Sequence, residues 1–377
     1  MIATIMGDFG ADVIKVEHPK GDNLRSLGWR KDGVSLWWVV AGRNKRSVTL
    51  SLSRADGQEL MKRMLADADV FIEGFRPGTL ERWNLAPEEL HELNPDLIIV
   101  RTSGFGQTGP YSQLPGFGTL AESISGYAFI NGWPDGPPTL PPFALADGVA
   151  ALTGTFAVMF ALRARDQAGH GKGQVIDLAI YEPLFALLGP QATVFDQLGI
   201  VQERTGNAAP FVAPRNAYQA KDGRWLGLSA SAQSISERVM KIVGREDLID
   251  EPWFADHSGR VAHAEELDAL IQDWIGQHTT EEVLAAFAEH EAAIAPINSI
   301  ADIACDPQFA ARETITTVEH PKLGPVKMQN VIPRLTGTPG AIRRAAPEVG
   351  EHNREVYLDE LGLSEDDLAR LAAEGTI

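Results

Sequence analysis

Asp147 is the residue of this sequence best placed for covalent chemistry. It lies in Pro141-Pro142-Phe143-Ala144-Leu145-Ala146-Asp147-Gly148, just before an apolar run, Val149 to Leu162, that reads as a buried helix opened by Asp147. An aspartate at a helix start has two readings. As an N-cap, it commits its carboxylate to a backbone N–H of the first turn. As a nucleophile, it is kept ionised by the unpaired N–H groups and the positive end of the helix dipole, which also favour an oxyanion forming beside it. Gly148 has no side chain, so a substrate can come close. Spacing alone favours the cap and leaves the nucleophile open.

Cations suited to an anionic ligand gather early in the chain. Residues 1–46 hold eight Lys and Arg against five Asp and Glu, a local +3 in a chain of net charge −18. A solvated basic face is the plain reading, and a nucleotide-like anion is the sharper one. Arg76 and Arg82 follow the strand-like run Asp69-Val70-Phe71-Ile72-Glu73, and ligands of parallel sheets bind at such strand ends. Other motifs fail their context tests. Gly104-Phe105-Gly106-Gln107-Thr108-Gly109 follows a strand but precedes Pro110 and a Pro/Gly-rich loop, where a dinucleotide fingerprint needs a helix. His170-Gly171-Lys172-Gly173 lacks the spacing of a phosphate loop. There is no H-E-x-x-H pair and no G-x-S-x-G elbow, so zinc hydrolysis and serine-triad hydrolysis lack support, and no metal is expected.

Composition bounds the partners. Asp+Glu outnumber Lys+Arg by 51 to 33, which argues against nucleic acid and against an anionic membrane surface. The single cysteine, Cys305, excludes an intrachain disulfide and a Cys-cluster metal site and points to a reducing, cytoplasmic compartment. The Val149–Leu162 run is shorter than the roughly 18 residues of a spanning helix, and the N-terminus has no basic n-region of a signal peptide.

The elements that must position these residues follow a β-α-β rhythm. Strands are expected at 11–17, 45–52, 69–73, 97–101 and 174–180, with helices at 57–68 and 79–93, a short one near 120–125, and the long one from Asp147. This is the pattern of a doubly wound parallel sheet. After about residue 205 the pattern changes. A hairpin with an Asp222-Gly223 turn, helices at 232–243, 262–276 and 280–292, and strands near 315–318 and 326–328 make a smaller α+β domain. Thr279 and Glu282 form a capping box for the third helix. The expected domains are 1–204 (large, first part), 205–335 (small) and 336–377 (a helical return to the large domain).

An ordered set of segments resembles the family III CoA-transferases, the CaiB/BaiF group of formyl-CoA and carnitine CoA-transferase. It runs from Asp8-Phe9-Gly10-Ala11-Asp12-Val13-Ile14-Lys15-Val16-Glu17 through Asn44-Lys45-Arg46-Ser47, Glu73-Gly74-Phe75-Arg76-Pro77-Gly78 and Ser103-Gly104-Phe105-Gly106. It continues with Ala146-Asp147-Gly148, Gly171-Lys172-Gly173-Gln174, Asp306-Pro307-Gln308-Phe309 and Gly350-Glu351-His352-Asn353. The resemblance implies a large Rossmann-like domain built from both chain ends, a small domain between them, and a homodimer of two interlocked rings. It implies that Asp147 attacks a donor thioester, forming an aspartyl anhydride and then an aspartyl-CoA thioester, with Gly148 beside it. It places CoA contacts at His18, Leu50, Gly74, Phe75, Arg76 and Arg82. It implies acyl-CoA and a carboxylic acid as substrates and no tightly bound cofactor.

The sequence also departs from the family. The family usually carries about twenty further residues before this start, a strand and a helix that touches CoA. The glycine-rich loop that covers the site of formyl-CoA transferase has no counterpart near Asn207 to Asn216, and a lysine contact there falls on Pro115. An acidic residue often follows the aromatic position of Phe117, where this chain has Gly118. Two alternatives remain. An α-methylacyl-CoA racemase needs bases on both faces of the α-carbon, and such relatives carry a His-Asp pair where Phe117-Gly118 stands. A non-catalytic acyl-CoA-binding protein would lack the aspartate. The loops at 116–119 and 141–143 are similar to those of relatives that use succinyl-CoA as donor and small dicarboxylic acids.

Overall fold

A computed structural model describes residues 1–167 and 171–377. The glycine-rich turn read at 169–173 lies partly outside them, as does His170. The chain forms two compact units. The first comprises Met1–Ser125, Pro141–Leu188 and Pro307–Ile377, and the second comprises Gly126–Leu140 and Gly189–Asp306.

In the first unit, helix α1 (Ile2–Asp8) leads into strand β1 (Val13–Glu17), which pairs in parallel with β2 (Lys45–Thr49). After helix α2 (Ala55–Leu65) come β3 (Val70–Glu73), helices α3 (Thr79–Arg82) and α4 (Pro87–Leu93), and β4 (Ile98–Ser103). Helices α5 (Gly118–Ile124) and α6 (Leu145–Asp166) precede β5 (Val175–Ala179). Strands β3, β4 and β5 form a parallel sheet of their own. The strands expected to make one doubly wound sheet therefore fall into a pair and a triplet. Among the described residues β1 bonds only to β2 and β3 only to β4, because no strand pairs their other edges. The single helix expected at 79–93 is two, because Asn84 turns to φ +54° and Pro87 starts a new helix at its first position.

Both faces of the triplet are covered, as successive residues of β4 show. Ile99 packs with Leu60, Phe71 and Tyr357 on one face, and Val100 packs with Ile2, Val158 and Leu178 on the other. This period of two with apolar residues on both sides marks a sheet buried between helical layers. The C-terminal segment is stitched to β2. The His352 Nδ1 accepts the Ser47 N–H, the Asn353 side chain bonds Thr49 through both its amide atoms, and the Tyr357 hydroxyl donates to the Thr49 carbonyl at 2.8 Å. The hairpin of β9 (Ile315–His320) and β10 (Gly324–Gln329) and helix α10 (Glu365–Ala373) also belong to this unit.

Helix α6 was expected to be buried. Its small residues are, with Ala146, Ala150, Gly154 and Ala161 facing inward. Its large ones are not, and Leu152, Phe156, Met159 and Phe160 are exposed. At 22 residues it is long and apolar enough, by length and composition, to cross a membrane, which the shorter run counted in the sequence is not. The turn of small residues lets the helix lie close to its own core, so the bulky side chains point away.

The second unit is an antiparallel sheet of β6 (Arg215–Gln219), β7 (Trp225–Ser229) and β8 (Ile294–Pro296). It packs on helices α7 (Gln233–Ile242), α8 (Ala264–Gln277) and α9 (Thr280–Glu289) through Leu226, Val239, Ile271 and Val283. The expected Asp-Gly turn joins β6 to β7 with Gly223 at φ +83°, and the Thr279–Glu282 capping box is formed.

Candidate active site

Asp147 does not open helix α6. The helix begins at Leu145, its N-cap is Ala144, and Asp147 is the third residue. Ala144 has no polar side chain to offer the free N–H groups of the first turn. That work falls to Glu122 of α5, whose Oε1 accepts the Ala146 N–H at 3.2 Å and which is only 3% exposed. The capping reading of Asp147 is therefore corrected, since another carboxylate holds the cap. Among the described residues no hydrogen bond or ion pair engages the half-buried Asp147 side chain. Its Oδ2 lies against the backbone of Gly118, so close that a methyl group there would come within 2.0 Å of it. Around Gly148, by contrast, a methyl group would meet nothing within 4 Å. The carboxylate is thus walled by α5 at Gly118, and the Met1 ammonium is close enough to feel its charge, while Phe117 and Phe143, near in sequence, are exposed.

The expected CoA contacts fall at two strand ends. Gly74, Phe75 and Arg76 follow β3 and are exposed. Arg82 ends α3, beside Gly78, and its guanidinium has one partner, the Thr79 hydroxyl at 2.9 Å. Arg76 has no side-chain partner among the described residues, so both cations are available to phosphate. His18 is exposed just past β1, and its Nδ1 accepts the Lys20 N–H. Leu50 follows β2 but is 2% exposed in the core, so what it offers a ligand is backbone. A cavity of about 320 Å³ opens beside these last two, lined by Pro19, Thr49, Val349, Gly350, Asn353 and Ile377. A groove of about 370 Å³ at the opposite strand ends is lined by Asp67, Asp69, Asp96 and Asp166 together with Arg165, which pairs with Asp69 and Asp166 and leaves the lining net negative. No hydrogen bond or ion pair joins the strand-end residues to Asp147 among the described residues.

Most of the early positive charge is committed internally. Arg25 pairs with Glu17 at 2.6 Å, Arg43 with Asp8 at 2.6 Å, Lys15 with Asp22 at 2.5 Å, and Arg46 with Asp12, Glu355 and Glu360. Lys45 is buried against Thr4 and the Ala41 carbonyl, and burial pushes its ammonium down to about 7. Lys20, Arg30 and Lys31 remain exposed. The broad basic face expected at 1–46 is accordingly a set of fold-locking ion pairs plus a few surface cations.

The model of CoA-transferase family III matches residues 1–353. The chain belongs to this family. It is 44% identical over 375 residues to the succinyl-CoA–D-citramalate CoA-transferase of Chloroflexus aurantiacus, covering 99% of this chain and 93% of that one. It is 39% identical to the beta subunit of that organism's succinyl-CoA–L-malate CoA-transferase, covering 100% of this chain and 93% of the relative. A crystal structure of a CaiB/BaiF family protein from Brucella suis superposes with a TM-score of 0.81 at 31% identity, covering 95% of this chain and 94% of that one.

Sequence reading missed two parts of the transferase. One is Glu122. The other is the anchor of the 74–76 loop: Glu73 accepts the Phe75 N–H at 2.6 Å and is paired with Arg101, its partner in register across β3 and β4, at 2.9 Å. Burial pushes the Glu73 carboxyl above the ordinary range, against the pull of the Phe75 N–H and of Arg101. Arg101 also bonds Glu81 at 2.8 Å. The only signal in the sequence was a charged residue in each of two apolar strands. The G-x-G-x-x-G stretch is a strand-end turn, with Gly106 at φ +83° and the Gln107 N–H held by Asp177. Among the described residues no group of three or more His, Cys, Asp or Glu could hold a metal ion.

Proposed function

We propose that the transferase moves CoA from succinyl-CoA to a small carboxylic acid with Asp147 as covalent carrier. The observation that carries this reading is a half-buried carboxylate in the first turn of a long helix, left without a hydrogen-bond partner because Glu122 takes the Ala146 N–H. The Asp147 carboxylate attacks the donor thioester carbonyl, and the C–S bond breaks to release CoA thiolate. The thiolate then attacks the aspartyl carbonyl of the mixed anhydride, giving an aspartyl-CoA thioester and free succinate. The acceptor carboxylate attacks this thioester, again releasing CoA thiolate and forming a second anhydride. Attack of the thiolate on the acceptor's acyl carbon yields the product thioester and restores Asp147. Each step exchanges one activated acyl group for another, so no step is uphill by the full cost of activating a carboxylate. The dipole of α6 favours the carboxylate before attack and the oxyanion during it.

The donor is taken from the succinyl-CoA transferases that the chain resembles. The test is a mass-spectrometric exchange screen with succinyl-CoA and acetyl-CoA against small mono- and dicarboxylic acids. The expected result is a new dicarboxylic thioester from succinyl-CoA. Failure to exchange with any acid overturns the reading.

CoA phosphates are assigned to Arg76 and Arg82. Losing one charge-assisted hydrogen bond costs about 1.5–3 kcal/mol, so Arg82→Ala is expected to raise the KM for succinyl-CoA by roughly ten- to a hundredfold with unchanged melting. An unchanged KM removes Arg82 from the site.

The supporting architecture is read as Rossmann-like, with parallel strands covered on both faces and ligand at their C-terminal ends. The active species is read as an interlocked homodimer. The exposed Leu152, Phe156, Met159 and Phe160 of α6 are the face a second copy would cover. Light scattering is expected to show a dimer that persists on dilution, and a monomeric mass at micromolar protein overturns that assembly.

A further inference from the structure

We propose that helix α5 is the seat of the nucleophile, with Glu122 and Gly118 as positioning residues for Asp147. The inference rests on the assignment of Asp147 as the covalent carrier. Gly118 and Glu122 are one helical turn apart, so both face the start of α6. Both are buried there. Their actions are complementary. Glu122 takes the Ala146 N–H, the donor one residue before the nucleophile. Ala146 is itself fully buried, so without Glu122 this N–H has no water to turn to. That N–H then competes for the Asp147 carboxylate, next in the chain, and a carboxylate engaged as a cap is a weaker nucleophile held in the wrong place. Gly118 acts by shape. The absent Cβ leaves the space that Asp147 Oδ2 occupies. Its backbone is not left-handed, so alanine fits the helix and the only clash is with the tip of the Asp147 side chain. A residue larger than glycine at position 118 must turn the carboxylate away from its present seat. This makes Gly118 part of this chain's own active-site geometry.

The experiment compares wild type, G118A, E122L and E122Q as full-length protein, with succinyl-CoA as donor. It reads steady-state kcat and KM, and the rate at which hydroxylamine converts Asp147 to a hydroxamate in a tryptic peptide. G118A is expected to lose about a hundredfold in kcat and in trapping rate with KM for succinyl-CoA little changed, the cost of a misplaced reacting atom. E122L is expected to lose roughly tenfold or more in the same quantities, and E122Q, whose amide oxygen still accepts the Ala146 N–H, is expected to recover most of that loss. Such a kcat-specific loss, with rescue by glutamine, is not what a general packing defect produces. If E122L does not fold, G118A decides. Wild-type trapping rates in G118A overturn the seat while leaving Asp147 as nucleophile. Equal loss in E122Q and E122L overturns the acceptor role of Glu122. No hydroxamate on Asp147 in the wild type overturns the nucleophile assignment and the seat with it.

Discussion

Asp147→Asn is expected to give a protein that melts like the wild type and transfers no CoA. Asparagine matches aspartate in shape, and the structure removes the usual objection that the change would damage a helix cap, because Glu122 rather than Asp147 holds the Ala146 N–H. The Asp147 side chain makes no bond among the described residues that the amide could lose. The chemistry is lost completely, since an amide neither attacks a thioester nor forms an anhydride. The fall in kcat should reach roughly four orders of magnitude or more, the scale seen when a covalent nucleophile is removed. Hydroxylamine trapping at residue 147 should vanish in parallel. Full activity in the variant, with deamidation excluded by mass of the intact protein, would refute the covalent mechanism. A melting temperature lowered by many degrees would instead show that the side chain has a structural duty that its surroundings do not reveal.

Arg101→Leu is expected to produce a large loss of stability. Arg101 and Glu73 meet across β3 and β4 at 2.9 Å, and both side chains are almost wholly buried. Removing one partner of a buried pair leaves the other uncompensated, at a cost of about 3–5 kcal/mol. At about 2–4 °C per kcal/mol for a domain of this size, the melting temperature should fall on the order of 10 °C. The pH dependence has a definite sign. A carboxyl whose pKa is raised by folding contributes stability that is present in acid and is lost as pH rises through the folded value. Burial already raises Glu73, and Arg101 is one of the groups pulling it back down. Without Arg101 the value climbs further, so the defect is greatest at neutral pH and shrinks toward acid, where Glu73 holds its proton. Thermal melts of wild type and variant across this range measure it. Glu73 also holds the Phe75 N–H, so the variant should show a raised KM for acyl-CoA even at temperatures where it is folded. A defect independent of pH would mean that lost packing, not the stranded carboxylate, is responsible.

Local sequence was a good guide wherever one segment contains its own cause. The strands at 13–17, 70–73 and 98–103 are β-branched runs, the Asp222-Gly223 turn supplies the positive φ its hairpin needs, and Thr279 with Glu282 completes its cap within four residues. The ordered motifs from Asp8 to Asn353 were enough to identify the family. Prediction failed where a partner lay far away in the chain. Arg46 is held by Glu355 and Glu360, more than 300 residues away, as well as by Asp12, and even the shorter-range pairs Arg43–Asp8 and Arg25–Glu17 form only once the chain has folded back, which net charge along the sequence does not show.

What the sequence by itself determined was the chemistry on offer: a carboxylate in the first turn of an apolar helix, two arginines after a strand, and the parallel β-α-β rhythm that brings such residues to strand ends. Those depend on residue type and short-range periodicity, which are written in consecutive letters. What only the tertiary structure decided was which carboxylate serves the start of that helix. The group that bonds the Ala146 N–H is Glu122, which comes from a different helix, and the Asp147 side chain is left out of that cap. Hydrogen bonds and close packing act over a few ångströms of space whatever the separation along the chain, so this choice was made when α5 and α6 packed together.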